Sequence, residues 1–87
     1  MIRTYFSINW TTRTSSGVLR RYNRILEGER VNEETAKAFA RNKANNSRNF
    51  YIDCWRMDNE ILEPEYKDEN GVWHASKDRT LATRLTF

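Results

Sequence analysis

Residues 2–12 alternate without a break: Ile2, Thr4, Phe6, Ile8 and Trp10 fall on one side, Arg3, Tyr5, Ser7, Asn9 and Thr11 on the other. A period of two predicts a half-buried strand. The next stretch, Thr12 to Ser16, is polar and rich in helix-capping side chains. From residue 17 the apolar positions Val18, Leu19, Tyr22, Ile25 and Leu26 recur at helical spacing. This predicts a helix over 17–27, capped by Ser15 or Ser16 and ended by Gly28 in a left-handed conformation. On the helical wheel Arg20, Arg21 and Arg24 gather opposite the apolar arc, so three guanidinium groups are expected on one exposed face.

A second helix is expected from an Asn32 cap, with Glu33 and Glu34 in the first turn, where the helix dipole favours anions. Ala36, Phe39 and Ala40 form its inner stripe, and Lys37, Arg41 and Lys43 load its C-terminal half with positive charge. An Asn-rich run then frays it into a loop. From Phe50 to Met57 both faces carry large residues, as in a central strand: Phe50, Ile52 and Cys54 on one side, Tyr51, Trp55 and Met57 on the other. Asp58-Asn59 reads as a turn, Glu60 to Lys67 as a return strand held at an edge or bent by Pro64, and Asp68-Glu69-Asn70-Gly71 as a second turn. Val72 to Ala75 continues the meander, and Leu81, Thr83, Leu85 and Phe87 alternate with their neighbours in a last strand. The expected fold class is α+β: a small antiparallel sheet of about four to five strands packed against two helices, in the order β-α-α-β-β-β-β, as one compact domain over residues 1–87.

Composition narrows the chemistry. One cysteine, Cys54, excludes an internal disulfide, and one cysteine with one histidine, His74, excludes the usual structural zinc sites. The N-terminus has no apolar run like that of a signal peptide, and no stretch reaches the roughly 20 apolar residues of a membrane span. The expected compartment is the cytoplasm.

The net charge of +3 hides a division along the chain. Residues 1–56 hold eleven Lys/Arg against five Asp/Glu, whereas residues 57–87 hold four against seven. The first 26 residues contain five arginines, four aromatics and no carboxylate. Cations neutralise phosphates and aromatic faces stack on bases, so this segment points to single-stranded nucleic acid. The expected contacts are Arg13, Arg20, Arg21, Arg24, Lys37, Arg41, Lys43 and Arg48, with Tyr5 stacking; Tyr51 and Trp55 are further aromatic candidates, although a place under the helices is favoured for Trp55.

Other chemistries fit less well. A helix-turn-helix would present Lys37, Arg41 and Asn42 to duplex DNA, but bulky Arg24 stands where that motif needs a small residue. The acids Asp58, Glu60, Glu63, Glu65, Asp68 and Glu69 lack the spacing of a calcium loop and read as a solvated hairpin. Cys54 and His74 are the only candidates for a nucleophile and a histidine base, and a cysteine inside an apolar strand is usually an unreactive core residue. A binder is expected, with no catalytic residue, metal or cofactor.

The chain opens on Met1, fills its length with one small domain and uses turns such as Asp68-Glu69-Asn70-Gly71-Val72-Trp73. In this it resembles the small accessory proteins of large tailed bacteriophages. The resemblance implies an inhibitor of host defence, of the kind that suppresses RNA-cleaving toxin–antitoxin systems by joining an RNA complex in the host cytoplasm. The leading expectation is a non-enzymatic protein that binds RNA or single-stranded nucleic acid, with a host protein or ribonucleoprotein as a further partner. The alternatives are a protein-interaction inhibitor or immunity-type module acting by direct contact, and a duplex-DNA-binding regulator.

Overall fold

The computed structural model describes residues 2–61, 66–74 and 78–87. In order, its elements are β1 (Ile2–Arg13), β2 (Leu19–Leu26), α1 (Glu33–Ala44), β3 (Asn49–Ile61), β4 (Tyr66–Lys67), β5 (Trp73–His74) and β6 (Asp78–Leu85). Four strands form one antiparallel sheet in the order β2-β1-β3-β6, and β4 pairs with β5 in a separate two-stranded ribbon.

The alternation of residues 2–12 is realised in β1, which lies inside the sheet between β2 and β3. Its register sets Ile8 opposite Cys54, and both are fully buried. Helix α1 packs over this pair through Ala36 and Ala40, side chains small enough to let its backbone approach the sheet. Phe6 completes the buried apolar set, and Trp10, Leu26, Val31, Phe39, Ile52, Leu85 and Phe87 surround it. The helix starts as the sequence predicts. The Thr35 N–H donates to Asn32 Oδ1 at 3.0 Å and the Asn32 N–H donates to Thr35 Oγ1 at 2.9 Å, a reciprocal cap with Glu33 and Glu34 in the first turn.

Three expectations are corrected. Residues 19–26 form a strand, so among the described residues the sheet packs against one helix and not two. The cause lies in the preceding turn. The Gly17 N–H donates to the Thr14 carbonyl at 2.9 Å, the Thr14 N–H to the Val18 carbonyl at 2.8 Å, and the Val18 N–H to Thr14 Oγ1 at 3.1 Å, with Gly17 at φ +83°. This closes a hairpin in which the positive-φ glycine follows a tight turn. Once it forms, the eight residues of β2 pair from Arg13↔Leu19 to Phe6↔Leu26, whereas a lone helix of that length is marginal in water. The same construction recurs at Asp68–Gly71, where the Gly71 N–H donates to the Asp68 carbonyl at 3.0 Å and Gly71 has φ +80°.

Asp58-Asn59 is not a turn. Strand β3 runs through it to Ile61, because neighbouring strands supply polar partners: Thr4 Oγ1 donates to Asp58 Oδ1 at 2.7 Å. The third correction is a bulge. Trp10 is opposite Ile52 and Thr11 is opposite Phe50, which leaves Tyr51 as the extra residue, at φ +52°. Past the bulge Phe50 shares the face of Thr11, opposite to that of Ile52 and Cys54. The expected bend at Pro64 and the end of the meander at Ala75 lie outside the described residues.

The molecule is thin and long, 61 × 29 × 18 Å. Helix α1 sits on one face of the sheet, over the half that holds Phe6 to Trp10; among the described residues the other face carries no helix.

Candidate nucleic-acid interface

Strand register sorts the charges by position along the sheet. Arg13 pairs with Leu19 and Thr12 with both Arg20 and Asn49, so the end of β1, the start of β2 and the start of β3 converge. The loop after α1 is tied to the same place: the Arg13 N–H donates to the Arg48 carbonyl at 3.0 Å, and Asn49 Nδ2 donates to the Lys43 carbonyl at 3.0 Å. Arg13, Arg20, Arg21, Lys43 and Arg48 are thus gathered at one end, with Arg24 one turn of the pleat further along β2 and Arg41 on the last turn of α1.

The far end is different. There Arg3 holds Glu27 through two hydrogen bonds of 2.9 Å, and Arg56 Nε lies 3.2 Å from Asp58. Among the described residues, the ion pairs are these two, Lys37 with Glu33 and His74 with Asp68, so none of the seven cations of the basic end takes part in one. Asp53, on β3, is only 8% exposed and accepts a hydrogen bond from Asn9 Nδ2 at 2.9 Å.

Aromatic side chains flank these cations on both sides of the sheet. On the helix side Tyr22 stacks on Trp10, whose ring meets Phe39 edge-on, and Lys43 Nζ lies 4.8 Å from the Trp10 ring centroid. Lys43 follows Ala36, Phe39 and Ala40 on the inner stripe of α1, so its stem covers apolar surface while its ammonium reaches the rings. Arg20 and Arg24 flank Tyr22 on this same face of β2. On the open side Phe50, Tyr51, Leu19, Arg21 and Asn23 line a cleft of about 890 Å³. The Arg13 guanidinium lies 5.6 Å from the Phe50 ring centroid. A polar ladder crosses the cleft floor, Asn23 Nδ2 donating to Asn9 Oδ1 at 2.7 Å and Asn9 on to Asp53.

Several expected positions change. The three β2 arginines do not share a face: Arg20 and Arg24 project on the helix side and Arg21 on the other, because strand residues alternate. Lys37 lies outside the cluster, 3.0 Å from Glu33 and only 21% exposed. Tyr5 is on the open face beside Met57, six residues before Thr11 and therefore about 20 Å from the basic end. Trp55, opposite Ser7, is on the same helix-free face and not under a helix. With residues 19–26 in a strand, the helix-turn-helix arrangement of Lys37, Arg41 and Asn42 has no first helix.

Trp10 and Tyr22 belong to the aromatic-laced basic segment visible in the sequence, but neither they nor Phe50 are among the contacts expected there. The hairpin turn was the available signal, since it puts Tyr22 across from Trp10 and flanks it with arginines at i−2 and i+2.

Elsewhere the chemistry is quiet. Cys54 is fully buried beneath α1, and burial, with Asp53 nearby, pushes its thiol pKa up. His74 lies in the separate ribbon, stacked on Tyr66, with Nε2 donating to Asp68 Oδ2 at 2.8 Å. Among the described residues no group of three or more His, Cys, Asp or Glu is placed to hold a metal; Glu63 and Glu65 of the acidic run lie outside them. No helix of the described residues is long and apolar enough to cross a membrane. Comparison with protein-family models, with curated proteins and with solved structures finds no match to the chain.

Proposed function

We propose that the protein binds single-stranded nucleic acid, RNA foremost, in the cytoplasm and without catalysing a reaction, using the basic end of the sheet. One observation carries this reading: cations engaged in no ion pair among the described residues surround the exposed rings of Tyr22, Phe50 and Tyr51. Arginines from β2 reach both faces of the sheet, so a flexible strand can follow the β2 edge with phosphates on Arg20, Arg21 and Arg24 and bases against the rings. A rigid duplex, its bases stacked inward, offers the rings nothing. Arg13, Lys43 and Arg48 extend the phosphate track around the end of the sheet. The resemblance to phage accessory proteins extends the proposal to a host target, the RNA of an RNA-cleaving ribonucleoprotein that the protein would inhibit.

The test is a titration of the nuclease-treated protein against labelled single-stranded RNA over a range of salt. Engagement of six phosphates by Arg13, Arg20, Arg21, Arg24, Lys43 and Arg48 gives a log–log salt slope of about −4 for a single strand. A slope near zero is incompatible with the proposal.

A further inference from the structure

The chain exposes far more surface than its mass requires. Its accessible area is 6887 Å² for 10.4 kDa, whereas a folded monomer of that mass exposes about 5,400 Å². Its radius of gyration is 18.1 Å, against about 12 Å for a compact chain of this length. Among the described residues, only Phe6, Ile8, Ala36, Ala40 and Cys54 are buried apolar residues. The excess, about 1,500 Å², falls in the range of about 1,000–2,500 Å² that each subunit loses in an obligate homodimer.

The two edges of the sheet differ in how they meet another strand. Edge strand β2 carries Arg20, Arg21 and Arg24. Antiparallel self-pairing centred on Tyr22 sets Arg20 opposite Arg24, and centred one half-step later it sets Arg21 opposite Arg24; both are repulsive. Edge strand β6 is the reverse. Thr80, Leu81, Ala82 and Thr83 form an uncharged, exposed centre with no proline, no lysine and no bulge in the β3 pairing. Leu81 is 65% exposed.

We infer that β6 is the dimerisation edge, pairing antiparallel with β6 of a second copy about a two-fold axis at Leu81 to give a continuous eight-stranded sheet. In this register Leu81 meets Leu81, Thr80 meets Ala82 and Arg79 meets Thr83, so no like charges stand opposite each other, and the contact closes on itself rather than growing into a filament. The axis is perpendicular to the sheet, so both helices remain on one side. The groove beside β6, about 530 Å³ and lined by Ile2, Thr4, Arg56, Asp58, Glu60 and Leu81 among others, becomes continuous with its copy. The two basic ends point away from each other, at opposite corners of the joined sheet, and are left free.

Sedimentation velocity on the nuclease-treated full-length chain, at both low and high salt, measures the mass. The expected result is twice 10.4 kDa, unchanged by salt and by alanine substitution of the β2 arginines, which separates this inference from nucleic-acid binding. Leu81→Cys is expected to form a disulfide-linked dimer under mild oxidation, because directly opposed Cα atoms lie about 4.5–5.5 Å apart, within disulfide reach. Arg84→Cys is expected not to, since the register separates the two Arg84 positions by about 20 Å. Leu81→Lys is expected to raise the dimer dissociation constant about tenfold or more, with circular dichroism reporting whether the fold persists. A monomeric mass at all concentrations, or cross-linking at Arg84→Cys as efficient as at Leu81→Cys, overturns the assignment.

Discussion

Trp10 and Tyr22 stand directly opposite each other on β1 and β2, their ring centroids 5.6 Å apart and their planes 14° from parallel. The stack joins fold and proposed function: Trp10 faces the core through Phe39, while Tyr22 is 43% exposed between Arg20 and Arg24. Tyr22→Ala removes the aromatic pair, about 0.5–1.5 kcal/mol, and a base platform that in single-strand binders is worth about 1–3 kcal/mol. Tyr22→Phe keeps both rings. Thermal melts and RNA titrations of the two variants are expected to separate, with Ala lowering stability and affinity and Phe close to the parent; a Phe variant as weak as Ala contradicts the stacking role.

Tyr51 holds φ at +52°, a left-handed conformation that costs a side-chain-bearing residue roughly 1–2 kcal/mol, and the residue is 65% exposed. Nothing in the core compensates a ring so far out in solvent. Tyr51→Gly relieves the backbone and removes the ring, so the expected outcome is unchanged or higher stability, by up to about 1 kcal/mol, with weaker binding to single strands. Loss of stability in denaturant titrations, with affinity intact, assigns Tyr51 to the fold instead.

Cys54 is closed off by its own packing. Its thiol pKa is raised, first by desolvation and then by Asp53, and it is fully buried under α1, so the reactive thiolate is scarce in the native state. Labelling by a thiol reagent at neutral pH is expected to follow global unfolding and to accelerate with urea. Ile8, opposite Cys54, is the matched packing probe: Ile8→Ala is expected to cost about 2–5 kcal/mol and to speed Cys54 labelling in proportion. Fast labelling of the folded parent protein contradicts this placement.

Asp68 gives the β4–β5 ribbon an acid limit. The hydrogen bond from His74, then those from the Val72 and Asn70 N–H groups, hold its carboxyl below the ordinary value of 3.8. A depressed carboxyl pKa contributes stability above the ordinary value and loses it as pH falls through the lowered one. The ribbon is therefore expected to hold at neutral pH and to open below pH 3.8, read from the NMR shifts of Tyr66 and Trp73. His74→Ala removes the largest cause and moves the Asp68 titration back up. An Asp68 midpoint that does not move contradicts the assignment.

How far the sequence reveals this structure depends on how local each signal is. The alternation of residues 2–12, the Asn32 cap and the final strand depend on near neighbours, and β1, α1 and β6 form there. Residues 18–26 satisfy both periods: Val18, Leu19, Tyr22, Ile25 and Leu26 fit a helix, and Arg20, Tyr22 and Arg24 against Leu19, Arg21 and Ile25 fit a strand. The hairpin decides between them, since four residues ending in Gly17 build the same turn as those ending in Gly71. Asp58-Asn59 misleads because its partners, Thr4 and Arg56, come from β1 and from two residues upstream on β3. The cations of the proposed interface are visible in composition, but their aromatic partners depend on register. Tyr22 reads as an inner-face residue of a helix until β2 is placed against Trp10.

The most direct test of the central claim is a titration of single-stranded RNA, single-stranded DNA and duplex DNA, each at two salt concentrations, with the parent protein and with Arg20→Ala/Arg21→Ala/Arg24→Ala. The account predicts salt-sensitive binding that favours single strands and, in the triple variant, weaker binding with the log–log salt slope reduced by about two units and the fold intact by circular dichroism. Equal affinity of parent and variant for RNA at low salt, or a preference for duplex DNA, contradicts it.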